Sequence, residues 1–552
     1  MVYKRGPYKK HSNLKLYCFL LVAAVLICTV YFIWKQPADN VIEKSALERG
    51  SFMPQEFIPK TEPNNKPHPI VREKIVHLDL KGAPPKVFYY DHFFNLISKL
   101  GATGVLVEYE DMFPYQDELT NISALNAYSL SEIQTINDLA AKYSLKIIPL
   151  IQTFGHMEFI LKLADYKKFR EEPSTPQTIC PTFSETLHLI ETMVKQIIMA
   201  HPKSETVHIG ADEVYYLGNC NRCKDFMREK NFSKNELYLE HVNSVAKIIN
   251  KVKPDMRILM WDDELRTFSS TDLRSPHTVL NKQLEPVVWK YSREVYDELG
   301  PGLWVDYAGI FDKVWAASAF KGATGSSEIV SQVTHYLQNN RGWLSLIKEH
   351  EHRVHFAGII ITGWQRYDHF SVLCELLPVG VPTLAMVLRL VSGIDDSPMT
   401  PPLEVARLLN CSQPYGLIGS AFGSPRCSYL GGNLLESALA LNQLKQELTS
   451  LKEDSRVKGW MNSGYNVKYQ FSNVRHMEAI KAVLMRLQAE LNDLQVEIGT
   501  SLSEIYDEHT VKEWQSTHVQ PFAKEVETLL ATCDKLLAKD TWPRRPLDRD
   551  EL

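Results

Sequence analysis

The chain has 552 residues, of which 23% are charged and 44% hydrophobic, with 61 Lys+Arg set against 66 Asp+Glu. A net charge of −5 provides no global basic field for nucleic acid, so no nucleic-acid partner is expected. Ten Trp, 24 Tyr and 22 Phe exclude a disordered or collagen-like chain, and about 150 residues per domain leaves room for one large barrel plus appendages.

The first segment departs from that average. Residues 1–15 carry Lys4, Arg5, Lys9, Lys10 and Lys15 and no acid, and Leu16–Trp34 then runs 19 residues without a charge before Lys35. A helix of ~17–25 apolar residues crosses a bilayer. A cleaved signal peptide would carry a shorter apolar run and small residues before its cut site, whereas this run ends Tyr-Phe-Ile-Trp-Lys. A core helix would not follow five unbalanced cations. The prediction is a cytoplasmic tail (1–15) and an uncleaved signal anchor (16–34). By the positive-inside rule this makes a single-pass type II membrane protein of the secretory pathway, placed in the Golgi, with its body lumenal or extracellular. Residues 35–70, punctuated by prolines from Pro37 to Pro69, read as an extended stem.

Cys18 and Cys28 lie in the anchor, and the other seven cysteines would face an oxidising compartment where disulfides persist. Seven is odd, so at least one stays free or pairs with another chain. Cys220-Asn-Arg-Cys223 has no second pair at zinc-finger spacing, so it reads as a local disulfide or two thiols, with no metal and no cofactor expected. Asn121, Asn231 and Asn410 head N-x-S sequons, which fit a lumenal body.

From residue 71 short apolar runs recur. They are Ile75–Leu80, Val105–Tyr109, Lys146–Ile151, Thr206–Gly210, Arg257–Trp261, Pro286–Trp289, Lys313–Ala316 and Gly358–Thr362. Near-continuous apolar strands indicate burial on both faces, the mark of a parallel sheet. Amphipathic stretches lie between them (Tyr90–Leu100, Ser131–Tyr143, Ser184–Ala200, Lys234–Lys251), with Asp91, Ser131 and Ser233 as expected N-caps and Gly101 as a stop. Eight alternations predict an α/β fold, a (β/α)8 TIM barrel over 71–395. An open doubly wound sheet would put a Gly-rich phosphate loop after its first strand, and Lys81-Gly82-Ala83-Pro84-Pro85 is not one.

A connecting segment (396–433) leads to a helical region (434–541) and a tail (542–552). Met477, Ile480, Leu484, Leu487, Leu491, Leu494 and Ile498 form a heptad seam, echoed by Leu441, Leu444, Leu448 and Leu451. A self-packed bundle is the favoured reading; a coiled coil forming a homodimer is the alternative.

Active sites of such barrels lie at the C-terminal ends of the strands. There the sequence places Asp79 and Lys81, Glu108, Glu110 and Asp111, His156, then His208, Asp212 and Glu213, and Trp261, Asp263, Trp289, Trp315 and Trp364. Two carboxylates as close as Asp212-Glu213 should not both ionise easily, so one is expected to keep a proton and act as an acid. Tryptophans closing strands five to eight suit the C–H faces of sugar rings. A retaining glycosidase needs a nucleophile ~5 Å from its acid, yet Val314–Ala319 offers no carboxylate, which favours attack by the sugar's own 2-acetamido oxygen.

His208-Ile209-Gly210-Ala211-Asp212-Glu213 resembles the His-x-Gly-Gly/Ala-Asp-Glu signature of the family 20 β-N-acetylhexosaminidases, and QTFGHMEF from Gln152 and VWAASAFKGATG from Val314 extend the likeness. The resemblance implies an exo-β-N-acetylhexosaminidase acting on a glycan or glycoconjugate. Glu213 would be its acid/base, Asp212 its acetamide stabiliser and His156 a support for the acid. It implies Trp261, Trp289 and Trp364 as walls of the sugar site; Trp315 is added from its position. Asp79, Glu110, Asp263 and Tyr307 complete the expected substrate-binding set. Lys81-Gly82 stands where the family commonly has an arginine gripping sugar hydroxyls. Trp364-Gln365-Arg366 replaces a Trp-x-Glu of relatives, with Asp368 the expected substitute. The competing readings are a chitinase-like hydrolase, whose D-x-x-D-x-D-x-E motif is missing, and a catalytically silent sugar-binding protein.

Overall fold

The computed structural model describes residues 71–274, 280–393, 403–412 and 426–547. The expected anchor and stem lie outside the described residues. Among the described residues no helix is long and apolar enough to cross a membrane.

All eight apolar runs are strands: β1 Glu73–Asp79, β2 Gly104–Glu108, β3 Lys146–Leu150, β4 Thr206–His208, β5 Arg257–Trp261, β6 Leu284–Trp289, β7 Val314–Lys321 and β8 Phe356–Gly363. They pair in parallel, in sequence order, and β8 closes on β1. The period-two alternation of a strand splits each one between two cores. Ile75, Leu106, Ile148, Leu259, Val287, Trp315 and Ile360 fill the barrel interior. Val76, Val105, Ile147, Val207, Ile258, Val288 and Ile359 face outward, into the layer under the helices. That double burial explains why the strands read as unbroken apolar runs.

The expected helices are found as Val87–Lys99, Leu130–Lys142, Thr186–Ala200 and Lys234–Val252. Ser233 caps its helix in a capping box with Glu236. Ser131 does not cap; Ser129 does, because its partner Glu132 stands at the third helical position. Asp91 is also not a cap. It lies a turn inside its helix, where its carboxylate accepts from Lys142 (2.6 Å) and Tyr143 (2.7 Å).

Beyond the barrel, Gly432–Glu453, Val474–Ile505 and Gln520–Leu537 pack on one another. The whole seam from Met477 to Ile498 is buried within this one chain. The bundle accounts for the heptad pattern, and the homodimer expected as its alternative has no free seam left to pair. The bundle is tied to the barrel: Lys86 N donates to Ile505 O (2.7 Å) and His518 Nε2 to Leu373 O (2.7 Å). Cys411 and Cys427 form a disulfide in the connecting segment.

Candidate active site

The site is built on a contorted backbone after β3 and β4. Ala211 (φ 68°), Glu213 (φ 47°) and His156 (φ 49°) all adopt left-handed conformations, which cost an L-residue about 1–2 kcal/mol each. Directed hydrogen bonds hold them there. Tyr238 OH donates to Ala211 O (2.7 Å), Thr153 Oγ1 to Ile209 O (2.8 Å), and Glu213 N to Asp263 Oδ2 (2.8 Å). Gly155 is needed for close approach, since a Cβ there would run into the Asp212 carbonyl oxygen.

The result is that two adjacent carboxylates reach one imidazole. His156 Nε2 lies 3.2 Å from Glu213 Oε2 and 3.6 Å from Asp212 Oδ2, while Nδ1 lies 3.6 Å from Glu158 Oε1. The electrostatics divide the pair. Burial, reinforced by Asp263, Glu108 and Glu213, pushes the Asp212 carboxyl up to about 7, although His156 pulls the other way. The hydrogen bond with His156 holds Glu213 below its ordinary value. Burial disfavours the cation on His156, but the surrounding carboxylates outweigh it and raise His156. In the free protein Asp212 and His156 therefore hold a proton more tightly, relative to their ordinary values, than Glu213 does.

A cleft opens in front of this trio. Trp261, Trp289 and Trp364, each at the end of its strand, line it together with Tyr291 and Tyr367. Trp289 and Tyr291 stack at 5.3 Å, and Trp261 meets Trp364 at 5.8 Å. On its floor the ammonium of Lys81 lies 3.1 Å from Asp79, 3.0 Å from Glu108 and 5.0 Å from the centre of the Trp364 ring. Burial works against ionised Glu108, but Lys81 and His77 prevail and hold it low. His208 is a support: its Nδ1 accepts from Gly210 N (3.0 Å), and burial lowers it to about 3, so it stays neutral.

The other expected residues stand elsewhere. Trp315 begins β7 rather than ending it, because the small residues Ala316–Ala319 continue the strand to Lys321. Its ring lies deep in the barrel, with Nε1 donating to Glu285 Oε2 (2.7 Å). Tyr307 is buried behind β5, its hydroxyl donating to Asp262 (3.0 Å). Asp368 is used up in its own turn, accepting from Phe370 N and Ser371 N (both 2.8 Å). Asp79 sits beneath Lys81 and accepts from Gln365 N (2.7 Å). Glu110 is paired with His369 (2.7 Å). Asp263 acts indirectly, taking the Glu213 amide and Trp289 Nε1 (3.2 Å). Tyr291 was not anticipated, although it follows Trp289 by two and so shares its face, and neither were Gln152 or Tyr367.

Comparison with known proteins identifies the family. The model of glycosyl hydrolase family 20, catalytic domain, matches residues 99–298. Human hexosaminidase D is 38% identical over 479 residues, covering 86% of this chain and 96% of that protein. Hexosaminidase D of Bos taurus is 45% identical over 318 residues, 57% of this chain and 91% of that one. Among solved structures, a β-N-acetylhexosaminidase from Bacteroides fragilis overlaps 58% of this chain and 66% of its own at 14% identity, with a TM-score of 0.43. Identity of 38% sustained over nearly the full length of a relative establishes descent: the chain belongs to glycosyl hydrolase family 20 and is a glycoside hydrolase.

Proposed function

We propose that the protein is an exo-β-N-acetylhexosaminidase that removes terminal β-linked N-acetylglucosamine or N-acetylgalactosamine with retention, assisted by the substrate's acetamide. One observation carries the reading. Among the described residues Asp212 Oδ1 is buried without a hydrogen-bond partner on the wall of an aromatic cleft, beside Glu213. A buried, unpaired carboxylate oxygen is costly unless a ligand satisfies it. An acetamide N–H of a sugar held between Trp261, Trp289 and Trp364 would do so.

The chemistry then follows the carboxylates. Those lining the cleft are Glu108, Asp212 and Glu213, and Glu108 is engaged by Lys81 and His77. Among the described residues no free carboxylate lines the cleft as a distant nucleophile, so the acetamide oxygen attacks the anomeric carbon as the glycosidic bond breaks. Glu213 gives its proton to the departing oxygen, and ionised Asp212 stabilises the oxazolinium cation. Water, deprotonated by Glu213, then opens that ring. Glu213 must be protonated when substrate is bound. Its side chain is 36% exposed in the free site, so a covering sugar would desolvate it and draw the proton of His156, 3.2 Å away; His156 is then reprotonated by Asp212 at 3.6 Å, which leaves Asp212 ionised. The Lys81 ammonium lines the cleft and is the cation there that sugar hydroxyls could meet.

The test compares aryl N-acetyl-β-glucosaminide, aryl N-acetyl-β-galactosaminide and aryl β-glucoside. The expected outcome is turnover of one or both acetamido sugars and almost none of the glucoside. Comparable turnover of the glucoside would sink substrate assistance.

We also propose that the enzyme is a type II membrane protein whose body faces the lumen of the secretory pathway, in the Golgi. The uncharged run 16–34 behind five cations supports this, and so does exposure of all three sequon asparagines, Asn121, Asn231 and Asn410. Expression in cells followed by endoglycosidase treatment tests it. An unchanged mobility, with the protein washed from membranes by alkali, would reject the anchor.

A further inference from the structure

Outside the cleft, Glu171, Cys180, Cys220 and Cys223 converge. Each offers one ligand atom, and the four atoms lie within 4.8 Å of one another. Cys180 Sγ is 3.5 Å from Cys220 Sγ and 3.7 Å from Cys223 Sγ. Glu171 Oε2 is 3.1 Å from Cys223 Sγ. A disulfide needs sulfurs about 2.05 Å apart, whereas sulfurs around a tetrahedral ion with bonds of about 2.3 Å stand roughly 3.8 Å apart. The observed spacing is that of ligands around an ion. Glu171, Cys180 and Cys223 are wholly buried.

We propose that Glu171, Cys180, Cys220 and Cys223 form a structural site for a thiophilic divalent cation, zinc by preference.

Three features beyond the spacing support it. In the Cys220-x-x-Cys223 turn, the amide of Cys223 donates to Cys220 Sγ (3.3 Å), an arrangement that stabilises a thiolate and aims both sulfurs to one side. The amide of Cys220 likewise donates to Glu171 Oε1 (2.9 Å), which fixes the carboxylate and leaves its other oxygen toward the sulfurs. Three thiolates and a carboxylate would overcompensate a dication, and the guanidinium of Arg222, held against the Phe183 ring at 4.6 Å, reaches Cys180 and Cys220 to offset the excess. Soft sulfur donors with one oxygen select zinc over magnesium or calcium. The set is closed by four protein ligands, which suits a structural rather than a catalytic ion. A lone C-x-x-C in the sequence could not reveal this, because the third sulfur lies 40 residues upstream of Cys220.

The location gives the ion something to do. Glu171 and Cys180 belong to the long connection after β3 that also carries His156. Backbone bonds between Met157 N and Gln177 O (2.9 Å) and between Ile179 N and Phe154 O (3.1 Å) knit its two ends together. Cys220 and Cys223 open the helix Asn221–Lys230 that follows Asp212-Glu213. The ion would cross-link the two connections that carry the site.

The full chain, purified in detergent without a polyhistidine tag or chelator, should contain one zinc per chain by elemental analysis. Titrating the thiols with a mercurial should release it. Cobalt(II) exchange should give the sulfur-to-cobalt charge-transfer band and the visible bands of tetrahedral cobalt, and in Cys223→Ser the metal should fall below about a tenth of an ion per chain. If that variant does not fold, the zinc content and cobalt spectrum of the unaltered protein decide the matter. Folded protein with no stoichiometric metal, or a non-reduced peptide map joining two of Cys180, Cys220 and Cys223, would overturn the proposal.

Discussion

The two ends of the barrel both bury charge, and they treat it in opposite ways. At the N-terminal end, Arg257 grips Glu285 through Nε (3.0 Å) and Nη2 (2.6 Å) and reaches Glu73 (3.3 Å), Trp315 donates to Glu285, and Lys313 stands 3.5 Å away. Burial opposes ionised Glu285, but these partners win and hold its carboxyl below its ordinary value. At the C-terminal end carboxylates crowd together with too few cations. Burial lifts Asp212 to about 7, Glu264 to about 7 and Asp262 to about 6, with neighbouring acids adding to each. One end is built to stay folded, and the other tolerates frustration because a substrate relieves it.

The contrast can be broken by substitution. The largest effect belongs to Glu213→Gln, which keeps the shape and loses the proton. Turnover of the aryl N-acetyl-β-hexosaminide should drop ~10²–10⁴-fold with little change in melting temperature. Retained turnover would remove Glu213 from the chemistry. At the other end, Trp315→Ala should leave a cavity and a bereft Glu285, costing about 3–5 kcal/mol in urea unfolding while kcat and KM of the folded enzyme stay put. A matching loss of kcat would show that the two ends are not independent. Gly155→Ala comes next. Its Cβ would push on the Asp212 carbonyl and displace the carboxylate from His156. A shift of about 1 Å at a reacting group is worth ~10²-fold in kcat, and the penalty in stability should be smaller.

These same residues mark how far the sequence could be read. The eight strands were legible because burial on both faces makes each an unbroken apolar run, and Trp261, Trp289 and Trp364 were legible as strand endings. Trp315 was misplaced because β7 continues through Ala316–Ala319, small residues that carry no hydrophobic signal. Tyr307 lies in the helix Val295–Ala308 and turns its hydroxyl inward to Asp262, and Asp368 caps its own turn; neither contact has a signal in the local sequence. The adjacency of Asp212 and Glu213 points to unequal proton affinities, but not to which of the two is raised. That depends on His156, delivered by a left-handed residue after a different strand, and no local pattern reports it. The four-ligand cluster was hidden for a similar reason, its parts being spread over Glu171 to Cys223.

The smallest effect tests the comparison by its sign. Asp212 rises from 3.8 to about 7 on folding, chiefly through burial. Between those values the folded protein holds a proton that the unfolded chain has released. Asp212 therefore lowers stability progressively as pH rises from 4 to 7, and its full penalty applies above 7. Asp212→Asn removes that penalty. The variant should be inactive yet more stable at pH 8 by on the order of 1 kcal/mol, an advantage that fades toward pH 4. Thermal unfolding of both proteins at the two pH values checks it. A variant less stable than its parent at pH 8 would mean that His156 fully neutralises Asp212 in the free enzyme, and the mouth of the barrel would then be as well paired as its floor.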